Sequence, residues 1–155
     1  MAADQTDELR RVTQRFFRRF GALAADATPC GKPLSMAHAH ALMVLLGRGQ
    51  LTQQELGREL CIDKSNVARL CAKMVDAGHV EQRAAEHDAR SRKVSLTKRG
   101  ERLAQEVEAA SRARFGALLA ALPEARRSPV VKALRHLVDA LDSLPAAPPD
   151  ERTSE

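Results

Sequence analysis

The sequence predicts a mainly α-helical fold with one small β-hairpin. Three observations carry that expectation. Apolar residues recur at helical spacing along most of the chain. Between Leu51 and Gly78 two of the helical stretches are short and are separated only by Cys61-Ile62-Asp63. Behind them, two strand-like runs flank a polar turn rich in arginine, Asp88-Ala89-Arg90-Ser91-Arg92-Lys93. Two short helices joined by a few residues make a helix-turn-helix, and a hairpin directly after it makes a wing. The expected architecture is a winged helix-turn-helix with a helical dimerisation region around it.

Each element has its own local reason. Leu9, Val12, Phe16, Phe20 and Leu23 mark a first helix from about Thr6 to Ala25, with Phe16, Phe17 and Phe20 expected in the core. Pro29 and Gly31 break the chain between Ala27 and Lys32. Ser35 is placed to cap a second helix through Leu46, ending near Gly47 and Gly49. Thr52 and Glu55 have the Thr-x-x-Glu spacing of a capping box, and Leu51 and Leu56 that of a hydrophobic staple. They start a third helix that runs to about Leu60. Asp63 or Ser65 caps a fourth, which stops before Gly78.

His79 to Ala84 and Arg92 to Leu96 read as strands around a polar tip, Ala85 to Ser91. Thr97 caps a long helix from Lys98 toward Leu122, with Gly100 a slight weakness in its first turn. Pro123 ends it. A last helix from about Ser128 to Leu144 aligns Val131, Leu134, Val138, Leu141 and Leu144, and takes Pro129 in its first turn. The tail after Pro145 is rich in Pro and acidic residues and is expected to be disordered. The expected division is a dimerisation helix and loop over 1–34, a winged module over 35–100, dimerisation helices over 101–145 and a tail over 146–155.

Composition narrows the partners. The chain has 155 residues, of which 44% are hydrophobic, and carries 25 Lys and Arg against 20 Asp and Glu, a net charge of +5. An excess of this size has meaning only where it clusters, and here much of it does. There is no Trp or Tyr, and three of the four Phe lie in the first helix. Readers of single strands stack bases on aromatic rings, so the balance favours duplex DNA. No apolar run approaches a membrane span and the N-terminus does not read as a signal peptide, so a cytoplasmic protein is expected. No Gly-rich phosphate loop, metal-protease helix or nucleophile elbow is present, so neither an enzyme nor a cofactor is expected.

The fourth helix has two faces. Val67, Leu70, Cys71 and Met74 should pack inward against Leu56 and Leu60, while Ser65, Asn66, Arg69 and Lys73 face outward. Asn pairs with adenine edges and Arg with guanine edges; Lys73, further along, suits a phosphate, and Lys64 is a further DNA-binding candidate. Thr52, Gln53 and Gln54 open the third helix, whose free N–H groups can hold a phosphate. On the hairpin, Arg83, His87, Arg90, Arg92 and Lys93 are basic, and a narrow minor groove draws in arginine. Asp88 fits there if it pairs with Arg90 or Arg92 and fixes its direction. A rival reading, a winged module that binds protein, needs an apolar patch on the fourth helix. Ser65, Asn66, Arg69 and Lys73 are the reverse.

At these residues the chain resembles the MarR family of transcription regulators. The resemblance lies in Leu51-Thr52-Gln53-x-Glu55-Leu56, Asp63-Lys64-Ser65-x-Val67-x-Arg69 and Asp88-x-Arg90-Ser91-x-x-Val94-x-Leu96-Thr97-x-x-Gly100. It implies a homodimer on a pseudo-palindromic operator, with Phe16, Phe17, Leu118, Leu134, Leu137, Val138 and Leu141 at the interface or in the core. It makes Arg90 the wing-tip arginine and Asp88 its partner. It also implies a repressor released by a signal, often a small aromatic or phenolic acid, an oxidant or a metal.

Arg18, His38 and His40 are the residues proposed to face an effector pocket. Cys30, beside Lys32, is the candidate redox thiol, while Cys61 and Cys71 read as small core residues. A zinc site from Cys30, His38 and His40 fails on spacing, because residues two apart on a helix point to different sides.

Overall fold

The computed structural model describes residues 2–85 and 88–145, and the side chains of 4–84 and 91–145. The expected tail over 146–155, His87 at the hairpin tip and the side chains of Asp88 and Arg90 lie outside the described set. In order, the elements are α1 (Ala2–Phe20), α2 (Met36–Arg48), β1 (Leu51–Thr52), α3 (Gln53–Leu60), α4 (Lys64–Asp76), β2 (Val80–Ala85), β3 (Asp88–Leu96), α5 (Lys98–Ala120) and α6 (Glu124–Ser143). The chain divides into two compact units, Met1–Arg114 and Phe115–Glu155.

The core of the first unit follows from the sequence pattern. From α2 come Ala39, Ala41, Leu42 and Leu45, and from α4 Val67, Leu70, Cys71 and Met74. Leu51, Leu56, Val80 and Val94 join them, with Ala104 and Val107 of α5. Each large side chain buried this fully contributes about 1.5–3 kcal/mol. The helix starts hold as expected. Ser35 Oγ accepts from the His38 N–H at 3.1 Å. Thr52 Oγ1 accepts from the Glu55 N–H at 3.1 Å while Glu55 Oε2 accepts from the Thr52 N–H at 2.8 Å, a complete capping box. Those bonds, the backbone one first, hold the Glu55 carboxyl below the usual carboxylate range.

The sheet is antiparallel, in the order β1-β3-β2. Leu51 lies opposite Val94 and Thr52 opposite Lys93, so the two residues before α3 also form a third strand. Between β2 and β3 the register runs from Val80 opposite Leu96 to Ala84 opposite Arg92, then slips so that Ala85 faces Asp88. The slip leaves residues 89–91 outside the β2 pairing, an irregularity of the kind that re-aims a strand.

Several boundaries differ from expectation. Helix α1 stops at Phe20 rather than Ala25, because Gly21 turns into the left-handed region at φ 90°. Phe16 and Phe17 are 44% and 48% exposed, so they are not core within this chain. Cys61 is not a core residue either. It is exposed and caps α3 in the left-handed conformation at φ 53°, whereas Cys71 is fully buried. Strand β3 starts at Asp88, so the hairpin reaches further than its apolar run suggested. Helix α6 starts at Glu124 behind Pro123, which puts Pro129 in the second turn, where it cannot donate to the Ala125 carbonyl. No residue of α6 is buried.

Gly100 is the largest departure. A Cβ at this position would fall 1.8 Å from the His79 carbonyl oxygen. The glycine is a condition for the first turn of α5 to lie against the root of the hairpin, not a weakness of its cap.

Candidate nucleic-acid interface

Asp63, not Ser65, caps α4. Its Oδ1 accepts from the Asn66 N–H at 2.7 Å. Phase from that cap decides the two faces of the helix. Val67, Leu70, Cys71 and Met74 are buried, and Ser65, Asn66, Arg69 and Lys73 are all exposed. Burial pushes the Cys71 thiol up to about 11, so it behaves as a small apolar residue. The outward face carries a continuous chain of bonds. Asn66 Nδ2 donates to Asp63 Oδ2 at 2.8 Å, and Arg69 Nη2 donates to Asn66 Oδ1 at 2.8 Å.

Beside this face a depression of about 630 Å³ joins three elements. It is lined by Thr52, Gln53 and Gln54 at the start of α3, by Lys64 at the start of α4, and by Ser91 and Arg92 from the hairpin. Five sequence-predicted site residues therefore share one surface: Thr52, Gln53, Gln54, Lys64 and Arg92. Arg58 adds a further cation that the sequence reading missed. Its signal was available, since Arg58 follows Gln54 by four residues and so shares its helix face. Ile62, Val67 and Gly57 supply the apolar part of the lining.

Lys93 is not among the lining residues. It lies one residue from Arg92, on the alternate face of β3, opposite Arg83. Arg83 in turn pairs with Glu81 at 3.3 Å. Arg48 and Glu59 form an ion pair between α2 and α3.

His38 Nε2 and His79 Nδ1 lie 2.9 Å apart, so the His38 ring is joined to a buried histidine at the hairpin root. Burial lowers both imidazoles from their usual value; His79 reinforces this at His38, and Arg99 at His79. His40 and Arg18 are both exposed. Cys30 Sγ lies 3.0 Å from Thr28 Oγ1. The Lys32 ammonium, expected to stabilise a thiolate there, instead pairs with Glu106 at 3.4 Å. Among the described residues no group of three or more His, Cys, Asp or Glu is placed to hold a metal. No helix there is long and apolar enough to cross a membrane.

Residues 32–91, which hold α2 to the hairpin, match the sequence profile of the MarR family. The similarity to the MarR family covers 60 of the chain's 155 residues. A MarR family transcriptional regulator from Silicibacter pomeroyi is 27% identical, with 91% of this chain and 92% of that one aligned at a TM-score of 0.59. Streptococcus pneumoniae FabT, solved in complex with DNA, is 17% identical and shares the fold at a TM-score of 0.72, over 94% of this chain and all of that one. Bordetella bronchiseptica BpsR, whose DNA binding is regulated by 6-hydroxynicotinic acid, is 21% identical, with 86% and 92% aligned at a TM-score of 0.67. Among curated protein sequences none matches this chain.

Proposed function

We propose that this chain is a DNA-binding transcription regulator of the MarR type, a dimeric repressor that sits on a pseudo-palindromic duplex operator in the cytoplasm and leaves it when a small molecule binds. The observation that carries the DNA-binding geometry is the shared surface of α3, α4 and the hairpin. It offers an exposed polar face on α4 and, next to it, a depression ringed by Arg58, Lys64 and Arg92. Ser65, Asn66 and Arg69 lie toward the N-terminal part of α4, which is where a recognition helix meets base edges. Lys64, Lys73, Arg58 and Arg92, with the α3 N-terminus, take phosphates. Asp88 and Arg90 act at the wing tip, and Lys93 contacts the backbone from the outer face of the hairpin. FabT, a neighbour of the same fold, carries DNA.

The dimer is supported by surface that a lone chain leaves uncovered. Leu9, Val12, Phe16 and Phe17 are exposed along α1, and Leu134, Leu137, Val138 and Leu141 along α6. An amphipathic helix gains most of its stability by burying its apolar side, and no residue of α6 is buried within the chain. The proposed division keeps 1–34 and 101–145 for pairing and 35–100 for DNA. An aromatic acid is the proposed effector class, in line with the regulation of BpsR by 6-hydroxynicotinic acid. Selection of bound sequences from a random duplex library tests the reading. An inverted repeat with half-sites about 10 bp apart is expected; no enrichment above the input pool contradicts it.

A further inference from the structure

We infer that Asp63 and Asn66 are positioning residues that aim the Arg69 guanidinium, so that Arg69 reads the base and Asn66 does not. The inference rests on the duplex-binding reading above. A side-chain amide has one donor end and one acceptor end, and a carboxylate only accepts. Asp63 takes the Asn66 backbone N–H at Oδ1 and the Asn66 Nδ2 at Oδ2, at 2.7 and 2.8 Å. That fixes which way the amide points. Its Oδ1 is left facing one turn along the helix, where it accepts from Arg69 Nη2 at 2.8 Å. The guanidinium is planar and its N–H groups form a fixed fork. Holding one nitrogen sets the plane and leaves the other N–H groups for a two-pronged contact with a base edge.

An Asn that reads adenine must present both amide ends to the base. Here both ends are already engaged within the helix. All three residues are exposed, so these bonds compete with water and contribute little to folding stability. Their effect falls on which Arg69 rotamer is populated before the duplex arrives.

Asp63→Asn separates aiming from capping. Asn caps a helix about as well as Asp, so the start of α4 survives. The new amide, however, puts a donor against Asn66 Nδ2. Asn66 must then flip, and its own donor end meets the Arg69 guanidinium. The substitution also removes a negative charge, which raises affinity for every duplex alike and cancels in a ratio of affinities between sequences.

The test compares base preference, by sequencing of bound duplexes, for the full-length wild type, Asp63→Asn, Asn66→Ala, Arg69→Ala and the Asp63→Asn/Asn66→Ala double variant. Thermal melting of each is recorded alongside. All three single variants are expected to lose about tenfold of the preference at the same base pair, the scale of one paired contact. The double variant should lose no more than either of its singles, and Asp63→Asn should melt as the wild type does. A wild-type preference profile in Asp63→Asn overturns the inference, as does loss at a different base pair in Asn66→Ala or additive losses in the double variant. A wild type with no base preference at all overturns the duplex reading, and the inference with it.

Discussion

Gly100→Ala sets two effects against each other, and the structure decides between them. Helix propensity favours the change, since alanine is better than glycine in a helix by about 1 kcal/mol. Packing opposes it. The new Cβ falls 1.8 Å from the His79 carbonyl oxygen and 2.7 Å from its carbon, where contacts of this type settle at roughly 3.3 Å or more. About 1.5 Å must open between two backbones, and no side chain can swing aside. The segment that would move is also tied down. The Thr97 N–H donates to that same His79 carbonyl at 3.1 Å, Thr97 Oγ1 donates to the Gly78 carbonyl at 2.7 Å, and the same Oγ1 accepts from the Gly100 N–H at 3.0 Å. Overpacking costs about 1–3 kcal/mol and a lost cap about 1 kcal/mol more. After the propensity gain the variant should be less stable by about 2 kcal/mol, and should melt roughly 4–8 °C lower. Urea titration followed by circular dichroism, at one fixed protein concentration, measures this. Stability equal to or above wild type would show that α5 does not pack on the hairpin root as described.

Other outcomes follow from the same contacts. Thr52→Ala removes the hydroxyl from the capping box and should cost about 1 kcal/mol in the same titration, with no change in the slope against urea. His38 and His79 are held neutral by burial, below the 6.5 of a free imidazole. The unfolded chain therefore binds more protons as pH falls through that value. Stability should be full above pH 6.5 and decline as the pH drops toward the lowered native values. The variant His38→Gln/His79→Gln should flatten that part of the profile; an unchanged profile would assign the acid sensitivity elsewhere. Arg90→Ala should weaken operator binding roughly tenfold while the protein stays folded, and unchanged affinity in a salt-matched shift assay would remove the wing tip from the interface.

What could be read from the sequence was local. The capping box at Thr52 and Glu55 is a four-residue pattern, and the two faces of α4 are set by a 3.6-residue period, so both were legible before any coordinates. The third strand was not, because Leu51 and Thr52 already had a role as staple and cap, and two residues carry no alternation. Gly100 looked like a weak point of a helix because its partner, His79, is 21 positions away and touches it through backbone alone. The His38–His79 bond spans 41 residues and joins two rings whose neighbours gave no hint of each other. Phe16 and Phe17 had the right period for a buried stripe, but periodicity says which side is apolar and not which molecule covers it. Asp63, Asn66 and Arg69 were visibly three apart, yet the spacing alone did not show that Asn66 spends both amide ends inside the helix.

Hydroxyl-radical footprinting of the purified protein on a selected duplex tests most directly whether α4 and the hairpin engage one double helix together. Two protected half-sites about one helical turn apart are expected, each flanked by a protected minor-groove segment that disappears in Arg90→Ala and persists in Arg69→Ala. Protection without half-site structure, or identical footprints for wild type and both variants, would contradict the account.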